Sequence, residues 1–199
     1  MKPFNIYVPE ETLEFIRGKV SSFPWHEIPE DRGWDYGTNL DYMKKICSYW
    51  VNSYDWRKNE KRMNNYSHFI VPVAGIDIHF ILEKGSGENP KPLLISHGWP
   101  GSFVESTGII ERLAHPERFG GDSKDAFDVI VPSLPGFGFS GRPPHPYGPR
   151  KIASVLNSLI IDVLKYKSYI AHGADWGSAI SSWLGYDYAE YCEGIHICF

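Results

Sequence analysis

Asp175 stands in the middle of Gly173-Ala174-Asp175-Trp176-Gly177, between an apolar run ending at Ile170-Ala171 and a segment with Ile180, Trp183 and Leu184 at helical spacing. A central functional residue flanked two positions away by small residues is the signature of a sharp strand-to-helix turn that exposes its middle side chain, and glycine permits the strained backbone. A hydroxyl at that tip would need an adjacent base, whereas a carboxylate with a reference pKa of about 3.9 is already ionised at pH 7. It can attack a saturated carbon that carries a leaving group or belongs to a strained ring. The product is an alkyl ester of Asp175, which an activated water must then hydrolyse. For that second step the backbone N–H of Trp176, next in sequence, and that of Trp99, in His97-Gly98-Trp99-Pro100-Gly101-Ser102, are candidates for an oxyanion hole. A lone Asp at a strand end is otherwise a helix cap or turn residue. The earlier HG-x-P loop, itself after an apolar strand, decides for chemistry because the two halves of one site then occur in order.

Other reactive side chains fit less well. His97 and His172 lie beside these loops, but neither easily reaches around its own strand end to the far side of Asp175, so both are assigned packing or hydrogen-bonding roles. The stretch "SLPGFGFSGRPP", residues 133–144, is a third candidate site loop, with Phe137 or Phe139 able to touch a substrate, although its glycines equally fit plain turns. Cys47, Cys192 and Cys198 are an odd set without ligand spacing, which favours free buried thiols over a zinc site or a disulfide framework.

The elements that must position Asp175 follow from periodicity. Residues 1–66 carry two helical patterns and no convincing strand: Leu13, Ile16 and Val20 after Pro9-Glu10-Glu11, and Leu40, Met43, Ile46 or Cys47, and Trp50 or Val51 after a Thr38-Asn39 cap. Between them residues 23–37, rich in Pro, Gly and Trp, read as an extended segment wrapped over another surface. From Ser67 the period changes to alternation around Ala74-Gly75, which predicts an antiparallel hairpin. Short apolar runs then alternate with candidate helices at 102–114, 150–165 and 177–190. Strand following helix in succession predicts an α/β fold, a doubly wound, mostly parallel sheet, because parallel neighbours need crossover connections. The reading is thus a helical and extended N-terminal region, 1–66, followed by an α/β core, 67–199.

Composition narrows the function classes. The 199 residues are 42% hydrophobic and 22% charged with a net charge of −4 and no charge blocks, which gives no footprint for nucleic acid. A small organic substrate fits better. No run of about 18 apolar residues and no signal-peptide core are present, which points to a soluble, cytoplasmic protein.

Taken together, "YDWRKNEKRMNNYSHFIVPVAGIDIHFILEK", "HGWPGSFVE", "VPSLPGFGFS" and "GADWGS" resemble the epoxide hydrolases of the α/β-hydrolase fold, in the microsomal and fungal branch with an epoxide-hydrolase N-terminal region. The resemblance implies that Asp175 opens the oxirane ring, that the N–H groups of Trp99 and Trp176 form the oxyanion hole, and that no metal or organic cofactor takes part. It implies a small-molecule epoxide and water as partners. It also implies that the family's cap with its two tyrosines, its general base and the acid behind that base lie outside these 199 residues, as in a truncated chain or one half of a split protein, so that these residues alone are expected to be weakly active, with little turnover. An uncapped sheet edge would then favour self-association or a missing C-terminal half as partner. Two rival readings are a haloalkane dehalogenase, which also places Trp after a nucleophilic Asp, and a non-catalytic ligand-binding relative.

Overall fold

The computed structural model describes residues 1–26 and 33–198, so the central part of the extended segment expected over 23–37 lies outside the described residues. The chain divides into two compact units, Ile6–Arg62 on the one hand and Met1–Asn5 with Met63–Phe199 on the other.

The first unit is helical. Helix α1 (Glu10–Ser21) opens after Pro9 with Glu10 and Glu11 in its first turn, where the helix dipole favours anions. Helix α2 (Leu40–Asn52) starts at the expected cap, the Asn39 side chain accepting the Tyr42 N–H at 2.9 Å. Helix α3 (Trp56–Met63) supplies Glu60, whose carboxylate is buried although it lies in a highly charged stretch. It accepts the Val8 N–H at 2.8 Å, Trp56 Nε1 at 2.9 Å and Arg57 Nη1 at 2.8 Å. Burial alone would raise its pKa, but these donors outweigh burial and hold it below the usual carboxylate range. An apolar cavity of about 380 Å³ in this unit is lined by Leu13 and Ile16 of α1, by Ile46, Tyr49 and Trp50 of α2, and by Trp56.

The second unit is a seven-stranded mixed sheet of β1 (Lys2–Phe4), β2 (His68–Val73), β3 (Ile76–Glu83), β4 (Lys91–Ser96), β5 (Phe127–Pro132), β6 (Tyr169–Ala174) and β7 (Cys192–Cys198), in the order β1-β2-β3-β5-β4-β6-β7. The strands β5, β4, β6 and β7 run parallel, and β1, β2 and β3 add antiparallel to them at one side. The predicted hairpin is β2–β3: Val73 faces Ile76, and the turn residues Ala74 and Gly75 have φ of 49° and 81°, a left-handed pair whose twist suits two-residue hairpins. Strand β1 was not expected. Its three residues include Pro3 and have no readable period, and they become a strand by pairing with Phe69 and its neighbours on β2.

Helices cover both faces of the sheet. On one face Ile78, Phe80, Leu94, Ile130 and Ala171 pack with α5 (Pro149–Ser158) and α6 (Trp176–Asp187) through Ile152, Leu156, Ile180 and Leu184. The residues that alternate with them, Ile81, Ile95, Val129 and Val131, point to the opposite face, where α4 (Ile110–Ala114) lies on β3 and β5. Two predicted helices are less regular than their period suggests. Residues Phe103–Gly108 form a 3-10 turn ahead of α4, and α5 continues into a π-helical turn over Leu159–Val163. Among the described residues no helix is long and apolar enough to cross a membrane.

Candidate active site

The sharp turn expected at Asp175 is present between β6 and α6. Asp175 has φ 53° and ψ −120°, a conformation costly for a residue with a side chain, which turns the chain from strand into helix within one position. Three glycines make room for it. A Cβ on Gly173 would lie 2.1 Å from the Gly177 carbonyl, and one on Gly177 would lie 2.1 Å from the Ser96 carbonyl, so β6, α6 and β4 meet at backbone contact. A Cβ on Gly98 would lie 2.6 Å from the Asp175 Cβ and Oδ1. The loop after β4 can therefore approach the carboxylate only through a glycine. The Asp175 N–H is directed to the Cys198 carbonyl on β7 at 3.3 Å, and the Asp175 carbonyl accepts the Ser178 N–H at 3.0 Å as α6 begins.

The carboxylate itself is exposed, and its hydrogen-bond partners are main-chain. The Trp99 N–H donates to Oδ1 at 2.9 Å. That N–H, and after it the N–H of Trp176, hold the carboxyl below its ordinary range and outweigh the small opposing effect of desolvation. Both donors expected for an oxyanion hole thus act on the same carboxylate. The peptide between Trp99 and Pro100 is cis, and the residues Trp99 and Trp176 beside the carboxylate are 67% and 38% exposed. Among the described residues no basic side chain pairs with it, so its charge is held by neutral main-chain dipoles.

Comparison with known proteins places the chain. Residues 1–106 match the family model described as the epoxide hydrolase N terminus, and residues 91–198 match that of the alpha/beta hydrolase fold. The chain belongs to the epoxide hydrolase family. It is 35% identical over 202 residues to epoxide hydrolase 1 of Sus scrofa, covering 99% of this chain and 44% of that protein. It is likewise 35% identical to juvenile hormone epoxide hydrolase 2 of Ctenocephalides felis, covering 100% of this chain and 43% of that one. Among solved structures, the epoxide hydrolase of Aspergillus niger superposes with a TM-score of 0.88 at 29% identity, over 100% of this chain and 52% of that chain. The juvenile hormone epoxide hydrolase of Bombyx mori gives 0.86 at 30%, over 98% and 52%. The chain spans about half the length of the relatives it matches.

Around the turn at Asp175 the remaining candidate residues divide cleanly. His97 is buried: its Nδ1 lies 2.9 Å from the Gly98 carbonyl, its Nε2 accepts the Leu134 N–H at 3.2 Å, and its ring meets Phe137 edge-on at 5.3 Å. Burial depresses its pKa, opposed by the Gly98 carbonyl and the charge of Glu105. His172 pairs with His196 across β6 and β7, Nδ1 to Nδ1 at 2.8 Å. Both rings thus have hydrogen-bonding roles. Phe139 packs among Phe4, His79 and Phe103, which ties it into the protein, whereas Phe137 lies against His97 beside the Trp99 loop. Cys192 is buried, Cys47 partly buried and Cys198 exposed, and all three are free thiols. Cys198 therefore departs from the burial expected of it, because it lies on the edge strand β7.

One buried network was not foreseen. His68 Nε2 lies 2.8 Å from the Met63 carbonyl, His68 Nδ1 lies 2.9 Å from His79 Nε2, and His79 Nδ1 lies 2.8 Å from Ser133 Oγ. Because a carbonyl only accepts, the protons must run from His68 to Met63, from His79 to His68 and from Ser133 to His79, with both rings neutral. Burial, then the neighbouring His68, pushes His79 down to about 3. The network joins β2 and β3 to the start of the third loop, and Ser140 closes it by donating to the Ser133 carbonyl at 2.7 Å. The signal was the pair of His-Phe dipeptides, but their convergence depends on hairpin register, which spacing alone does not give.

Proposed function

We propose that the protein is an epoxide hydrolase that opens an oxirane to a vicinal diol through an ester of Asp175. The observation that carries this is the Trp99 N–H on Oδ1 at 2.9 Å, made to an exposed carboxylate at the tip of the strained strand-to-helix turn. In the first step Oδ2 forms a bond to a ring carbon, the carbon–oxygen bond of the ring breaks, and the ring oxygen leaves as an alkoxide that takes up a proton. Oδ1 becomes the ester carbonyl oxygen. In the second step water adds to Cγ and gives its proton to the general base that the family resemblance places outside these residues, and Oδ1 carries the negative charge, stabilised by the Trp99 N–H that already donates to it and by the Trp176 N–H that already acts on the carboxyl. Collapse of that tetrahedral intermediate breaks the bond between Cγ and Oδ2, releases the diol with its new hydroxyl oxygen taken from Asp175, and regenerates the carboxylate with an oxygen from water. In this reading residues 1–66 are the N-terminal region of the hydrolase and 67–199 its α/β part.

Styrene oxide serves as the probe, with intact-protein mass spectrometry and Asp175→Asn as control. A gain of one substrate mass on the native chain, absent from the variant, supports the nucleophile. Incubation in water enriched in the heavy isotope, followed by digestion, would place the label on Asp175 after turnover. Chloride release from a chloroalkane without reaction of the epoxide would favour a dehalogenase. Reversible binding with no adduct would favour a non-catalytic relative.

A further inference from the structure

We propose that His97 is a positioning residue for the oxyanion-hole donor: its Nδ1–H, bonded to the Gly98 carbonyl, fixes and polarises the Gly98–Trp99 peptide whose N–H holds Asp175. The catalytic consequence rests on the reading of Asp175 as nucleophile; the positioning itself rests on geometry. The tautomer is determined by the neighbours. The Leu134 N–H can be accepted only by a nitrogen lone pair, so Nε2 carries no proton and, in the neutral ring, Nδ1 does. The Gly98 carbonyl 2.9 Å away then receives it.

Carbonyl and N–H belong to one planar unit, so holding the Gly98 oxygen sets the direction of the Trp99 hydrogen. Accepting a hydrogen bond at the carbonyl also polarises the amide and strengthens what its N–H donates. This loop needs such an anchor. Gly98 has no side chain to restrict it, and one could be added only by displacing the Asp175 side chain, since a Cβ would lie 2.6 Å from it. The imidazole is itself held by the Leu134 N–H on one edge and Phe137 against its ring, so the third loop and the Trp99 loop meet through it. Burial favours the neutral ring that this arrangement requires. The pattern is that of a second group which orients a first without touching the reacting atoms.

The test exploits two amides. Asn places its N–H₂ where Nδ1 stands, and Gln places its polar group where Nε2 stands. In His97→Asn the Trp99 amide resonance, the Asp175 carboxyl pKa measured by carbon NMR and the rate of styrene oxide adduct formation should stay within about threefold of native, in rate, and close in position. In His97→Gln and His97→Leu the Asp175 pKa should rise, the Trp99 amide proton should move upfield, and alkylation should slow by about tenfold or more. Folded Gln and Leu variants that leave Trp99 and Asp175 unchanged would overturn the proposal. Should those variants fail to fold, nitrogen NMR of the native His97 ring decides: protonation at Nδ1 alone supports the proposal, and protonation at Nε2 overturns it. If the native chain forms no adduct, the nucleophile reading falls, while the Trp99 and Asp175 resonances still decide the role of His97.

Discussion

Asp175 and Glu60 are both carboxylates held below their ordinary pKa, yet the means differ and so does what each can do. Glu60 is buried and receives a guanidinium, an indole N–H and a main-chain N–H, which occupy its oxygens and neutralise its charge. Asp175 is exposed, strained in its backbone and held by main-chain dipoles. A compensated charge fastens structure, whereas an uncompensated one held in place keeps its reactivity. A lowered carboxyl pKa alone therefore does not mark a reactive group. The marks are the kind of partner, the access to solvent and the strain.

Substitutions separate the two most sharply. Asp175→Asn should abolish the styrene oxide adduct while the melting temperature stays within about 3 °C of native, since an exposed side chain is changed without removing packing. A folded variant that is still alkylated at the same peptide would break the comparison. Next in size, Gly98→Ala should slow alkylation by about a hundredfold with the fold retained, because the added methyl must displace the carboxylate from the Trp99 N–H. Smaller again is Glu60→Gln. It should cost about 2 kcal/mol by weakening three hydrogen bonds to a buried charge, lowering the melting temperature by about 6 °C, and leave alkylation within about twofold of native. Loss of the adduct in that variant, with the fold intact, would assign Glu60 more than a fastening role.

The two carboxylates also differ in how far the sequence reveals them. Asp175 is legible because its conformation demands small residues at fixed local positions, and Gly173 and Gly177 write that demand into the chain. The parallel strands and the hairpin are legible for a similar reason, since period and turn residues are local. Glu60 is one acid in Trp56-Arg57-Lys58-Asn59-Glu60-Lys61-Arg62, and nothing nearby says that Val8, far back in the chain, will come to bury it. Strand β1 depends on its partner β2, and the His68–His79–Ser133 chain on hairpin register, so both escape local reading. The extended α5 pattern conceals its π-helical turn, because one shifted hydrogen bond hardly alters which residues face the core.

Acid titration makes the finest distinction. Both groups are acids whose folded pKa is lowered, so each contributes stability that is present above its unfolded pKa and lost as pH falls through its folded pKa. For Glu60 that means protection is complete above about 4.5 and declines only below it, as the donors from Val8, Trp56 and Arg57 lose their charged partner. For Asp175 the observable is reactivity. As pH is lowered to 3.8, the ordinary midpoint for such a group, the native carboxylate should remain mainly ionised, so single-turnover alkylation should lose less than half its rate if circular dichroism shows the fold intact. In Gly98→Ala the Trp99 hydrogen bond is disturbed, and the midpoint should move up toward 3.8. The same substitution should leave the Glu60 titration where it is, because that carboxylate draws on other donors. If native and Gly98→Ala profiles coincided, the Trp99 N–H would not be what keeps Asp175 ionised, and the contrast between the two carboxylates would rest on burial and strain alone.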